Sequence, residues 1–229
     1  MGQQLTDSLQ RQWQLEQQRT EQVAALAHDL KTPLTIIQGN AELLAESAST
    51  TAPELDAILR AGDRAQQYLA ALRSVGTVPA ARQRTDSHAF VAALADTANS
   101  LCRPARLTFV LRENWQGPFL CAAPELTRAL ENILDNAVGH TPAGGTVTLD
   151  VSKAKDTLVF TVTDTGPGFT PEALHKAGQF LYTDAARPCN GHQGLGLYLA
   201  RSVAQAHGGK LVLANTGNGA HVQLCLPMQ

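Results

Sequence analysis

A histidine followed at once by an acid, with a threonine four residues on and then a proline, stands at His28-Asp29-Leu30-Lys31-Thr32-Pro33. A neutral imidazole is a nucleophile and a proton carrier near neutral pH, and on a helix Thr32 shares the face of His28. Pro33 offers no N–H to the carbonyl of Asp29, so the helix should bend or loosen beside the histidine. Thr32 and Pro33 also suit the N-cap and first position of a fresh helix, which would leave His28 a solvated surface residue. The unbroken phase of Leu30, Leu34 and Ile37 favours one kinked helix.

Three further clusters lie in the second half of the chain. Asn132 and Asn136 stand one turn apart in Asn132-Ile133-Leu134-Asp135-Asn136, and amide carbonyl oxygens can join phosphate oxygens and waters around Mg²⁺. Taken alone, a polar solvent face accounts for the pair better. Asp164-Thr165-Gly166-Pro167-Gly168 ends an apolar run; its glycines let backbone approach a flat ligand, and its carboxylate can accept a hydrogen bond from an exocyclic amine such as that of adenine. A strand-terminating turn is the plain alternative. Gly191-His192-Gln193-Gly194-Leu195-Gly196-Leu197 opens a helix and so aims backbone N–H groups and a positive dipole end at an anion, although any tight loop needs glycine.

Two kinds of chain must position these groups. Of the 18 glycines, 13 fall between Gly139 and Gly219, so rigid helix comes first and a loop-rich region second. Positions 9, 13, 16, 20, 23, 27, 30, 34, 37, 41 and 44 follow the 4-3 spacing of a bundle seam, apolar from Val23 onward. After a Ser/Thr-rich loop, Thr51, Pro53 and Glu54 start a second helix that presents Leu55, Leu59, Gly62, Leu69 and Leu72 on one side. A two-helix hairpin cannot bury that stripe alone, so two copies forming a four-helix bundle, a homodimer, are expected.

Residues 78–84 read as a linker, and the domains are placed at 1–78 and 79–229. The later pattern predicts helices over 87–101, 124–138 and 197–207, strands over 107–111, 146–151 and 157–164, a long loop, and a closing hairpin over 210–226 that turns at 215–219. The fold class is a helical hairpin followed by an α/β sandwich, with helices covering one face of a mixed sheet.

Composition sets the bounds. The chain has 229 residues, 44% hydrophobic and 17% charged, enough for one large domain or two modest ones with real cores. A formal charge of −2 without a basic stripe argues against nucleic acid. Cys102, Cys121, Cys189 and Cys225 form no CxxC pair, as suits reduced thiols in a cytosolic compartment. No apolar run reaches the ~18 residues that a membrane helix needs. Met1-Gly2 ahead of a Gln-rich helix looks like an excised start, so the whole protein is expected to carry a membrane anchor upstream.

In order and spacing, the four clusters resemble those of class I sensor histidine kinases, from about Val23 to the C-terminus. Residues 28–34 resemble the phosphoacceptor box, 132–137 the N box, 164–168 the G1 box and 194–197 the G2 box. The resemblance implies a dimerisation and histidine phosphotransfer domain followed by a Bergerat-fold ATP-binding domain, with a response regulator as partner. It also implies residue roles. His28 would attack the γ-phosphate of ATP, Asp29 would orient the imidazole and accept its proton, and Thr32 would position water for dephosphorylation of the regulator. Asn136 would ligate Mg²⁺, Asn132 would support the phosphates, and Asp164 would read the adenine amine. Gly166 and Gly168 would line that pocket, Gly194 and Gly196 would cradle the phosphates, and residues 167–193, with Phe180 and Tyr182, would form a lid.

The chain departs from the family where a basic residue and an aromatic usually follow the N box. Gly139 and His140 stand there instead, with Lys176 and Arg187 as the candidates for the missing phosphate-directed charge. Related ATPases that hydrolyse ATP carry a glutamate where this chain has Asn132; Glu131 lies one residue out of register, about 100° round the helix, which favours transfer to an imidazole over hydrolysis. A nucleotide-binding scaffold without catalysis is the remaining alternative.

Overall fold

The computed structural model describes residues 81–180, 182–184 and 194–228, and helical positions 30, 33–37, 39, 40, 44, 58, 61, 62 and 65. The chain divides into two compact units, Met1–Thr77 and Val78–Gln229.

In the first unit the described residues are helical on both predicted segments, and Asn40 Nδ2 donates to the Ile36 carbonyl at 2.8 Å. Pro33 and Ala61 are buried, whereas Leu34 on the predicted seam is 56% exposed in the single chain. His28, Asp29 and Thr32 lie outside the described residues.

The second unit runs β1 (Gln83–Asp86), α1 (Ser87–Cys102), β2 (Thr108–Glu113), β3 (Pro118–Cys121), α2 (Ala123–His140), β4 (Thr146–Ala154), β5 (Thr157–Asp164), α3 (Pro171–Lys176), α4 (Gly196–Ala206), β6 (Lys210–Thr216) and β7 (Gly219–Pro227). Five strands form one mixed sheet in the order β2-β4-β5-β7-β6, with β2 and β4 parallel and the other pairs antiparallel.

Alternation decides which face is covered. Along β4, Val147, Leu149 and Val151 point inward while Thr148, Asp150 and Ser152 point outward, the period of two that a half-buried strand requires. Ala220, Val222, Leu224 and Leu226 do the same on β7. Against that face α2 sets Leu126, Leu130, Ile133 and Leu134, α1 adds Val91 and Leu94, and α4 adds Ala200 and Ala204, all in one core. Each buried Leu or Ile contributes about 1.5–3 kcal/mol relative to exposure.

Three expectations need correction. The closing turn, expected over 215–219, is only Gly217-Asn218, because Asn215 and Thr216 continue β6 and pair with Ala220 and Gly219 of β7. The segment read as linker up to Arg84 is in part strand, because β1 pairs antiparallel with β3 in a separate two-stranded sheet. Four-residue strands carry almost no periodic signal. This ribbon is fixed to the core by Phe119, whose ring lies 5.7 Å from Phe90 and 6.1 Å from Phe160 in edge and tilted contacts. The long loop after β5 also contains a helix, α3, capped by Thr170, whose side chain accepts from Ala173 N–H, and opened by Pro171. The described cysteines, Cys102, Cys121 and Cys225, are free, and burial pushes each thiol up, as suits unreactive core sulfur.

Candidate functional site

The site gathers round α2. The helix begins at Ala122, which has extended backbone and no side-chain cap, with Pro124 in its first turn. The Ala122 N–H is satisfied from a distance instead: buried His207, just after α4, accepts it through Nε2 at 3.0 Å while Nδ1–H donates to the Val203 carbonyl at 2.8 Å. That pair of bonds sets one neutral tautomer and ties the start of α2 to the end of α4.

Midway along α2, Asn132 packs against the first turn of α4. A Cβ on Gly196 would lie 3.6 Å from Asn132 Cβ and 3.9 Å from its Cγ, so the two helices approach closely there. Asn132 Nδ2 is buried and, among the described residues, has no hydrogen-bond partner. A buried amide donor left unsatisfied costs about 1–3 kcal/mol, and an anionic oxygen would remove that cost. The neighbouring turn supplies the matching field: Leu195 gives α4 no side-chain cap, and among the described residues no side chain caps its first N–H groups, which suit an anion. Gly194, with φ +71°, takes the left-handed conformation that starts this turn. Asn136 is half-buried one turn further along α2.

The C-terminal end of α2 abuts the turn after β5. A Cβ on Gly166 would fall 2.6 Å from the His140 carbonyl oxygen, so only glycine allows this approach. Asp164 is 4% exposed. Its Oδ1 accepts from Gly166 N–H at 2.8 Å and from Ala220 N–H at 3.1 Å, while Oδ2 takes no hydrogen bond among the described residues. The carboxylate is thereby held rigidly with one oxygen left for a donor.

Beyond it the chain is pinned from β6 and α4. Asn215 bonds both polar groups of the Phe169 backbone. Thr170 Oγ1 donates to Asp184 Oδ2 at 2.7 Å. Arg201 Nη2 donates to the Ala177 carbonyl at 2.9 Å, and Phe180 meets Tyr198 edge-on at 5.2 Å between ring centres. Lys176, a candidate for the missing charge, is paired with Glu172 at 2.9 Å; Arg187 lies outside the described residues.

The tertiary structure thus brings Gly196 against Asn132 midway along α2 and Gly166 against the His140 carbonyl at its C-terminal end, with Asn136 on the turn between them, while Gly168 meets Asn215 of β6. Sequence reading missed His207, Asn215 and Arg201. Asn215 was legible only as a turn residue, and the other two carry no local signal. The donor set fits Mg²⁺ bound with phosphate, since neutral amide oxygens and phosphate oxygens are hard ligands. Among the described residues no cluster of His, Cys, Asp and Glu could hold a metal by itself.

A mixed sheet covered on one face by helices, with a buried acid beside glycine turns and an orphaned amide at a helix start, defines a nucleotide-binding domain of the Bergerat class. Residues 121–229 match the family described as Histidine kinase-, DNA gyrase B-, and HSP90-like ATPase, and residues 18–78 match the His Kinase A (phospho-acceptor) domain. The sensor histidine kinase SpaK of Bacillus subtilis is 36% identical over 98% of this chain and 51% of its own length. The signal transduction histidine-protein kinase/phosphatase MprB of Mycolicibacterium smegmatis is 32% identical over 90% of this chain and 45% of its own. The crystal structure of full-length ShkA in complex with AMPPNP matches the fold with a TM-score of 0.69 at 24% identity, over 91% of this chain and 46% of that one. The chain belongs to the sensor histidine kinase family of two-component systems. It spans about half the length of the curated relatives it matches.

Proposed function

We propose that this chain is the kinase portion of a two-component sensor: it binds ATP in its second unit, phosphorylates His28, and passes the phosphoryl group to an aspartate of a response regulator. The observation that carries the reading is the convergence on α2, where Asn132 Nδ2, without a hydrogen-bond partner among the described residues, lies beside Gly196 at the start of α4 while the last turn abuts the loop of Asp164.

In this reading Asp164 accepts a hydrogen bond from the adenine amine through its open oxygen, and Gly166 and Gly168 give the ring room. Asn132 and the first N–H groups of α4, with Gly194 and Gly196, hold the phosphates. Asn136 provides an amide oxygen to Mg²⁺, which, when bound, offsets charge on the phosphates. Neutral Nε2 of His28 forms a bond to the γ-phosphorus as the bond to the β,γ-bridging oxygen breaks. ADP leaves with that electron pair, and Asp29 takes the imidazole proton.

Thr32 positions water for the opposing task, dephosphorylation of the regulator, a reading supported by the relative MprB being a histidine-protein kinase/phosphatase. The exposed seam residue Leu34 supports a second copy packing on the helical unit as a homodimer. Among the described residues no helix is long and apolar enough to cross a membrane; we assign the chain to the cytoplasmic side, downstream of a membrane anchor in the whole protein.

The test is incubation with Mg²⁺ and γ-labelled ATP. Label should survive alkali and be lost in acid, as a phosphoramidate is, and His28→Gln should abolish it. Label persisting in His28→Gln removes His28 from its role, and label that never moves to an added receiver domain removes the phosphotransfer step.

A further inference from the structure

We infer that Asn215 is a positioning residue for the nucleotide site, holding the exit of the Asp164 loop in register with its entrance; this rests on the nucleotide reading of that site. The Phe169 N–H donates to Asn215 Oδ1 at 2.7 Å, and Asn215 Nδ2 donates to the Phe169 carbonyl at 2.8 Å, so one amide grips both polar groups of a single residue. Reciprocal donation leaves one orientation of the amide satisfied.

The other end of the loop is gripped from the same rung. Asn215 is the cross-strand partner of Ala220 in the β6–β7 ladder, and the Ala220 N–H is what holds Asp164 Oδ1 at 3.1 Å. The loop from Asp164 to Phe169 is therefore bracketed at both ends by one pair of facing residues. Between them Gly168 takes φ +71°, and a Cβ there would lie 2.8 Å from Asn215 Oδ1. The close seat of Asn215 therefore leaves room only for glycine at position 168. Immediately beyond Phe169, Thr170 caps α3 and donates to Asp184, so the same grip sets where the chain leaves the Asp164 loop and enters α3.

Asn215 itself is exposed and contributes no apolar core. Water competes for exposed hydrogen bonds, so its removal should leave the unit folded. What it alters is the spread of conformations of the loop, which nucleotide binding must then narrow.

The experiment compares the 229-residue chain with Asn215→Ala, Asn215→Asp and, in the two-residue turn of the same hairpin, Asn218→Ala. Calorimetric affinity for AMPPNP with Mg²⁺ should fall roughly tenfold in Asn215→Ala, about the size of one to two net hydrogen bonds. It should fall at least as far in Asn215→Asp, where a carboxylate oxygen faces the Phe169 carbonyl. Asn218→Ala should bind as the parent does, all ligand-free melting temperatures should agree within about 2 °C, and the Phe169 amide should exchange faster in Asn215→Ala without nucleotide. Asn215→Ala affinity within twofold of the parent overturns the inference. So does an equal loss in Asn218→Ala, or a loss accompanied by a large fall in melting temperature. A parent chain that binds no adenine nucleotide overturns the nucleotide reading itself, whereas unchanged Phe169 exchange with intact parent binding overturns only the grip.

Discussion

Gly196 and Asn132 face each other across the contact of α4 with α2 at ordinary van der Waals spacing, because a methyl group on Gly196 would lie 3.6 Å from Asn132 Cβ and 3.7 Å from its carbonyl oxygen. Gly196→Ala should therefore keep parental nucleotide affinity within a few-fold. Gly196→Val adds two further methyls at the phosphate-facing start of α4 and should lower affinity by about tenfold or more. Titration calorimetry with AMPPNP and Mg²⁺ separates the two; equal affinities would mean that this contact does not border the site.

His207 acts as a remote cap. Replacing it by Leu keeps an apolar body but orphans the buried Ala122 N–H, a cost of about 1–3 kcal/mol. For a unit of this size the melting temperature should fall by roughly 3–10 °C. A thermal melt that does not move would show that water takes over the N–H.

Two glycines of the closing hairpin should differ sharply in their tolerance of alanine. Nothing lies within 4 Å of a Cβ on Gly217, whereas a Cβ on Gly219 would run into the Asp164 carbonyl. Gly217→Ala should change stability by less than about 0.5 kcal/mol, and Gly219→Ala should cost about 2 kcal/mol or more and weaken nucleotide binding, since it pushes on the loop that holds Asp164. Urea unfolding curves of the two variants test this ordering.

At the far side of the sheet, His88 Nδ1 lies 2.9 Å from Glu113 Oε2. The hydrogen bond to Glu113 and its negative charge, helped by Asp86 and opposed by slight desolvation, hold the imidazole above its ordinary value of 6.5. A raised folded value means that the pair stabilises fully below the unfolded pKa and that this contribution is lost as pH rises through the folded one. An NMR titration should give a His88 midpoint above 6.5 that returns toward it in Glu113→Gln; a parental midpoint at or below 6.5 would contradict the pairing.

Asp164→Asn should weaken nucleotide binding with or without metal, while Asn136→Asp should mainly disturb the metal-dependent step. Affinities measured with and without Mg²⁺ separate them. Equal nucleotide affinity in the parent and Asp164→Asn would remove the adenine contact.

Periodicity and glycine placement were enough to read β4, β5, α2, α4 and the closing hairpin, since each is long enough for its apolar repeat to show which face is covered. The glycines at 166, 168, 194 and 196, and the paired asparagines, were visible as types at spacings. Their joint meaning came from order along the chain. What no local pattern encodes is which distant backbone groups meet. Only folding brings Ala220 N–H to Asp164, Asn215 to Phe169 and His207 to Ala122, because those bonds close over chain separations of 46 to 85 residues. The strands β1 and β3 escaped notice for a different reason: four residues hold too few alternations to declare themselves, and Phe119 of β3 is fixed by the Phe90 and Phe160 rings that the core assembles.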